Sequence, residues 1–180
     1  MIGHKKYPGV LTLDDITEVI SHFQYSKNLS YDHHQDDSVF KRYKAQSPVL
    51  PKIVKDKIAE CVKDANGIFN LNIHSPIEFE RYILSAYEKN DFLGMHHDFD
   101  MIQSHSQRLL TVVILLTNEF EGGEFAMTFQ NGYGKPPHKP EFFMGDILIF
   151  PSWTQHQVLP VKSGTRLSLT SWVMGNIKNT

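Results

Sequence analysis

The chain has 180 residues, 41% hydrophobic and 21% charged, and its 18 basic side chains against 20 acidic ones leave a formal net charge of −2. That size and balance suit one globular domain with a sizeable core, and Lys and Arg scattered along the chain give no footprint for nucleic acid or an anionic membrane. One cysteine, Cys61, excludes an internal disulfide framework and any Cys-rich zinc or iron–sulfur site, so the ten histidines become the residues to follow. The longest apolar run, Leu109 to Leu116, is of strand length, far short of the roughly 20 residues that cross a bilayer. The opening MIGHKKYPGVLTLDD lacks the apolar stretch of a signal peptide, and a cytoplasmic protein is expected.

No repeat, low-complexity tract or linker divides the chain, so a single domain over 1–180 is expected. Thr12 and Asp15 form a capping-box-like start, and Leu13, Ile16, Val19, Ile20 and Phe23 follow at helical spacing, which predicts a helix over 13–23. Residues 24–50 are polar and read as a loop with one edge strand in SVFKRYKA. Pro51 opens a second helix with Val54, Ile58, Cys61, Val62 and Ala65 as its apolar stripe, and Asn66-Gly67 ends it. From Ile68 the pattern changes to seven β-rich runs separated by turn residues: IFNLNI, IEFERYILSAY, RLLTVVILLT, GEFAMTF, GDILIFP, HQVLPV and TRLSLTSWV. In the second run Phe79, Arg81, Ile83 and Ser85 share one face, while Glu80, Tyr82, Leu84 and Ala86 share the other. Gly122-Gly123 fits a tight turn between two strands. The expected fold is mainly β with N-terminal helices: a mostly helical support layer over 1–67 packed on an antiparallel, jelly-roll type sandwich over 68–180.

Two segments carry candidate chemistry. In YEKNDFLGMHHDFD, His96 and Asp98 have the spacing His-x-Asp, which puts an imidazole and a carboxylate on one side of an extended chain. In GDILIFPSWTQHQVLPVKSGTRLSLTSW, His156 offers a third ligand, and Arg166 and Ser168 follow two residues apart on one face. Two histidines and one carboxylate on a β-scaffold match the facial triad of non-haem Fe(II) oxygenases, which leaves positions open for co-substrate and oxygen. An arginine downstream supplies the planar fork that grips a carboxylate through two N–H groups, and the serine hydroxyl adds a further hydrogen bond.

The arrangement Tyr87, His96-x-Asp98, Glu121-Gly122-Gly123-Glu124, Gly145-Asp146, Phe150-Pro151, His156-x-Val158-x-Pro160-Val161-x-x-Gly164-x-Arg166-x-Ser168 and Trp172 resembles the Fe(II)/2-oxoglutarate-dependent oxygenases. Within them it is most similar to the prolyl hydroxylase branch, over residues 77–175. The resemblance implies a double-stranded β-helix (a cupin-like jelly roll) with supporting helices. It implies that His96, Asp98 and His156 ligate iron, that Arg166 meets the distal carboxylate of 2-oxoglutarate, and that Tyr87 lines the co-substrate pocket. Fe(II), 2-oxoglutarate and O2 are the implied cofactors, with ascorbate as reductant. The implied reaction hydroxylates a C–H bond, that of a prolyl residue in a peptide or protein, and releases succinate and CO2. One position departs from the branch, which commonly carries a tyrosine on the strand after His-x-Asp to assist the distal carboxylate. Leu115 stands there, and Tyr82 or Ser168 could replace the hydroxyl.

Other readings stay open at this level. The same chemistry could act on a free amino acid, another small molecule or a nucleobase, and a scaffold without turnover could serve as a binding module. Nucleic-acid demethylases of the superfamily usually carry a second arginine where Trp172 stands, which counts against the nucleobase. His97 reads as a solvent-facing or supporting histidine, Arg108 as a strand-edge charge or a group approaching substrate, and Trp172 as a core or pocket-wall aromatic. His33, His34, Asp36 and Asp37 read as a polar loop in preference to a second metal cluster. The Gly- and Pro-rich stretch 131–140 reads equally as a lid or as a surface hairpin.

Overall fold

In the computed structural model, residues 3–25, 30–33, 39–71, 73, 75–99, 107–128 and 136–175 are described. Helix α1 (Leu13–Tyr25) begins where Thr12 and Asp15 cap one another. The Thr12 N–H and hydroxyl both donate to Asp15 Oδ2, at 2.7 and 2.8 Å, and the Asp15 N–H donates back to Thr12 Oγ1 at 3.3 Å. That reciprocal pairing satisfies donors with no partner inside the helix. Helix α2 (Lys52–Phe69) buries Val54, Ile58, Cys61, Val62 and Ala65. It runs through Asn66-Gly67, because the residue that adopts the left-handed conformation is Asn70 (φ 50°, ψ 47°). Asn70 and Leu71 then return their N–H groups to the Asn66 carbonyl. The expected strand IFNLNI is therefore absent: Ile68 and Phe69 are the last turn of α2.

Twelve strands occur among the described residues. In chain order they are β1 (Lys5–Tyr7), β2 (Ser30–His33), β3 (Phe40–Ser47), β4 (Phe79–Tyr87), β5 (Phe92–His96) and β6 (Gln107–Leu115), then β7 (Phe120–Gly122), β8 (Phe125–Thr128), β9 (Ile147–Pro151), β10 (Gln155–Val158), β11 (Val161–Gly164) and β12 (Arg166–Gly175). All pairs are antiparallel, in the order β1-β9-β6-β12-β4-β3-β5-β10-β8 with β2 on β3, and β11 and β7 form a separate pair. The sheet curls on itself. Phe125 of β8 and Phe150 of β9, far apart in hydrogen-bonding order, pack with ring centroids 5.7 Å apart and planes tilted by 42°. The result is the jelly-roll architecture expected.

The N-terminal third contributes more strand than its sequence advertises. β3 is an interior strand between β4 and β5, not an edge strand. HQVLPV divides into β10 and β11, which belong to different sheets, and Gly122-Gly123 joins strands that pair elsewhere instead of closing a hairpin.

Alternation along the strands separates two apolar layers. Leu110, Val112 and Ile114 of β6, Ile147 and Ile149 of β9, and Leu169 and Val173 of β12 pack with α1 and α2 on the outer face. Val113, Leu148 and Phe150 point inward with Phe125, Met127 and Val158. Because both faces are covered, β6 and β9 read as continuous apolar runs. Among the described residues no helix is long and apolar enough to cross a membrane.

Gly164 sits in the β11–β12 turn just before Arg166, at φ +75°, where an added Cβ would lie 2.1 Å from the Glu119 carbonyl oxygen. Gly164→Ala should destabilise the fold by about 2 kcal/mol or more. The thermal midpoint should fall by roughly 4 to 8 °C for a chain of this size; an unchanged midpoint would contradict the placement of this turn.

Candidate active site

β5 ends at His96, the chain then carries Asp98 toward the sheet interior, and β10 presents His156. His156 lies directly opposite His96 in the β10–β5 register. His96 Nε2 is 3.4 Å from Asp98 Oδ1, and His156 Nε2 is 3.4 Å from Asp98 Oδ2. One ligand atom from each residue lies within 4.8 Å of the others. Such spacing is close to that of neighbouring ligands around a first-row ion with bonds of about 2.1 Å.

Each imidazole is oriented by its own backbone. His96 Nδ1 donates to the Gly94 carbonyl at 2.8 Å, and His156 Nδ1 donates to the Thr154 carbonyl at 2.9 Å. With each Nδ1 committed to a carbonyl, Nε2 of each ring is the atom that faces the carboxylate and is placed to meet a metal. Asp98 is held more tightly still. Thr111 Oγ1 donates to Oδ2 at 2.9 Å and lies 3.1 Å from Ser152 Oγ, while the Asp98 and Phe99 N–H groups both bond the Ser152 carbonyl at 2.9 Å. Burial works to raise the Asp98 pKa, but the hydrogen bond from His96 and the electrostatic attraction of the adjacent His156 and His96 rings outweigh it, and the carboxyl sits well below its usual range. Burial draws His156 down to about 4 against the pull of Asp98, so the ring is neutral at pH 7 and can act as a ligand.

These residues open into a cavity of about 460 Å³ that Tyr87, Arg166, Ser168 and Trp172 also line. Arg166 is 1% exposed. Its Nη1 donates to Ser168 Oγ at 2.9 Å, its guanidinium lies 5.4 Å from the Tyr87 ring centroid, and its Nη2 is buried with no hydrogen-bond partner. Burial lowers its pKa to about 10, which still leaves it charged at neutral pH. Tyr82 does not join them. It belongs to the other face of β4, packed with Leu84 in the outer layer, and its buried hydroxyl finds no partner. Strand parity is the reason, since Ser85 and Tyr87 take the cavity face. His97 is exposed at the cavity mouth. Arg108 is fixed between Glu80, with contacts of 2.5 and 2.9 Å, and the Trp172 ring at 4.0 Å. Residues 34–38 and 131–135 lie outside the described residues, and with them His34, Asp36, Asp37 and most of the expected lid; of His33 only the backbone is described.

Four participants have no motif to reveal them. Thr111 and Ser152 support Asp98, and Ser85 and Arg42 line the cavity, where Arg42 Nη1 donates to the Tyr87 hydroxyl at 3.1 Å. Thr111 alone leaves a trace, as the one hydroxyl inside LLTVVILL.

A family model described as the 2OG-Fe(II) oxygenase superfamily matches residues 82–174, more than half of the chain. The chain belongs to that superfamily. A PKHD-type hydroxylase of Idiomarina loihiensis is 27% identical over 108 residues, which cover 59% of this chain and 48% of that protein. The chain spans about half the length of the curated relatives it matches. Among solved structures, the viral collagen prolyl hydroxylase of Paramecium Bursaria Chlorella virus-1, in complex with 2OG, superposes with a TM-score of 0.70 at 21% identity over 97% of both chains. A Trichoplax adhaerens prolyl hydroxylase in complex with a peptide fragment of the hypoxia inducible factor oxygen degradation domain gives 0.67 at 17% identity, over 95% of this chain and 83% of that one. At such identities these likenesses speak for the fold, a double-stranded β-helix.

Fe(II) and 2-oxoglutarate, the cofactors of this superfamily, fit the residues present. Two imidazoles and one carboxylate form a donor set for a first-row divalent ion. The Arg166 Nη2, buried beside Ser168 in the same cavity with no hydrogen-bond partner, has the chemistry to donate to a carboxylate. Thr111→Val keeps the shape of the side chain and removes the hydrogen bond that orients Asp98. Fe(II) affinity should fall by about 10- to 100-fold in anaerobic equilibrium dialysis; wild-type affinity would show that Thr111 does not support the ligand.

Proposed function

We propose that this chain is an Fe(II)- and 2-oxoglutarate-dependent dioxygenase that hydroxylates a C–H bond, with a prolyl residue of a peptide or protein as substrate. His96, Asp98 and His156 would hold the iron, and Arg166 with Ser168 the distal carboxylate of 2-oxoglutarate. The observation that carries this reading is the buried, unmatched Arg166 Nη2 in the same cavity as the three candidate ligands.

When bound, iron and 2-oxoglutarate with O2 supply the oxidising power that converts C–H to C–OH, with release of succinate and CO2. The remaining work belongs to the protein. Asp98 contributes the one anionic ligand and keeps its charge because its neighbours hold the carboxyl ionised. Thr111, Gly94 and Thr154 fix the three ligand side chains through the hydrogen bonds already described, so little rearrangement is needed on metal entry. Arg166 and Ser168 orient the co-substrate from one end. Val113, Phe125 and Val158 form apolar wall that limits water around the reacting carbon.

The prolyl substrate draws its support from the named activity of the fold neighbours, one of which holds a peptide. The free thiol of Cys61, buried in α2, and the ferrous state of the metal both suit a reducing compartment.

The test is product analysis of proline-containing peptides incubated with the protein, Fe(II), 2-oxoglutarate, ascorbate and air. A gain of one oxygen on proline matched by one succinate is the expected result. Asp98→Ala should lower turnover by at least about a thousandfold, since it removes the only charged ligand; wild-type turnover in that variant would overturn the assignment of the triad.

A further inference from the structure

The pairing of β4 with β12 gathers polar side chains of both strands on one wall of the catalytic cavity. Their register sets Tyr87 opposite Arg166, Ser85 opposite Ser168 and Ile83 opposite Thr170, and all six residues line the cavity. Side chains directly opposite in an antiparallel pair have Cβ atoms roughly 5 Å apart, so a small group held between Ser85 and Ser168 can touch both hydroxyls. Arg166 is the diagonal neighbour of Ser85, and its long side chain spans that separation.

These groups differ in what they already bind. Ser168 Oγ accepts from Arg166 Nη1 at 2.9 Å, and the Tyr87 hydroxyl accepts from Arg42 Nη1 at 3.1 Å. Ser85 is as deeply enclosed as Arg166, each 1% exposed, yet its Oγ makes no hydrogen bond. Its register partner on the other side, Lys44 of β3, supplies none to it. Arg166 Nη2 is in the same condition. A buried hydroxyl with no partner is unfavourable, and alanine would occupy the same place in the strand without that penalty. Within the fold alone the Ser85 hydroxyl therefore stabilises nothing, and a ligand that brings an acceptor reverses that.

The acceptor has to suit Arg166 Nη2 as well. A carboxylate does, because its two oxygens offer about four acceptor positions. Arg166 Nη2 donates to one oxygen. Ser168, whose oxygen accepts from Arg166, keeps its own proton to donate, and Ser85 stands across from it with a second. On the far side of Ser168, β6 places Leu115, whose side chain has no donor, so the additional hydroxyl comes from β4.

We propose that Ser85 is a co-substrate-binding residue: its hydroxyl donates to the distal carboxylate of 2-oxoglutarate and, with Arg166 and Ser168, forms a three-donor pocket selective for a 2-oxo acid that ends in a carboxylate. This rests on the oxygenase reading above and adds to it a residue on a different strand from Arg166 and Ser168.

The experiment compares the wild type with Ser85→Ala, each folded by circular dichroism and loaded anaerobically with Fe(II). Each is titrated with 2-oxoglutarate by visible absorption, and then with 2-oxopentanoate, which has the same carbon chain and a methyl group in place of the distal carboxylate. Ser85→Ala should need about tenfold more 2-oxoglutarate, the loss expected for one hydrogen bond to a charged group, while its requirement for 2-oxopentanoate stays at the wild-type value. In the absence of any 2-oxo acid, the thermal midpoint of Ser85→Ala should equal or exceed that of the wild type, because the hydroxyl removed has no partner in the fold. An unchanged 2-oxoglutarate requirement, an equal rise for both 2-oxo acids, or a lower midpoint without ligand, the mark of a structural hydroxyl, overturns the proposal and leaves the oxygenase reading in place. A wild type that forms no band with Fe(II) and 2-oxoglutarate overturns that reading and this proposal with it.

Discussion

A guanidinium enclosed in the fold, with one nitrogen lacking any partner, is unfavourable by several kcal/mol until an anion completes it. Arg166 is in that position, and much of the surrounding structure serves to keep it there. Gly164 allows the tight turn that delivers it, the Tyr87 ring covers it, Ser168 takes one of its N–H groups, and Gly123 leaves room beside it, since a Cβ there would come within 3.1 Å of the Arg166 Cδ. A charge held in this way gains from an incoming anion, because a protein gains no stability from leaving it unpaired.

The candidate metal site has the same character. Its three candidate ligands sit on or beside β5 and β10, neighbouring strands, while Asp98 is tied through Thr111 and Ser152 to β6 and the end of β9. The curled sheet thereby joins the two ends of its strand order around one cavity. The helices bind to the outer face, where Leu110, Val112 and Ile149 meet α1 and α2, and so stiffen the strands without obstructing the interior.

How much of this was legible follows from how local each feature is. The cap of α1 lies within four residues and reads directly from Thr12 and Asp15. The alternation of Ser85 and Tyr82 also reads from period alone, although it says only that the two face opposite ways; which face holds the cavity depends on where the helices pack. His96, Asp98, His156 and Arg166 are drawn to attention by their spacing. What stayed hidden is long-range. β3 is interior because β4 and β5 lie on either side of it, which the polar sequence FKRYKAQS cannot announce, since its alternate residues line a charged cavity. Asn66-Gly67 looks like a helix stop, yet Asn70, three residues on, adopts the left-handed turn. Arg42 reaches Tyr87 across 45 positions of sequence, and no local pattern records that contact.

The most direct test of the central claim, that one cavity holds iron through His96, Asp98 and His156 and a carboxylate through Arg166, is anaerobic titration of the metal-free protein with Fe(II) and 2-oxoglutarate, followed by visible absorption. The account predicts a charge-transfer band that saturates at one equivalent of each in the wild type. In Arg166→Ala the same band should require at least about tenfold more 2-oxoglutarate, as expected from loss of a charge-assisted, two-pronged contact. A folded protein that forms no band, or an Arg166→Ala variant that titrates like the wild type, would contradict it.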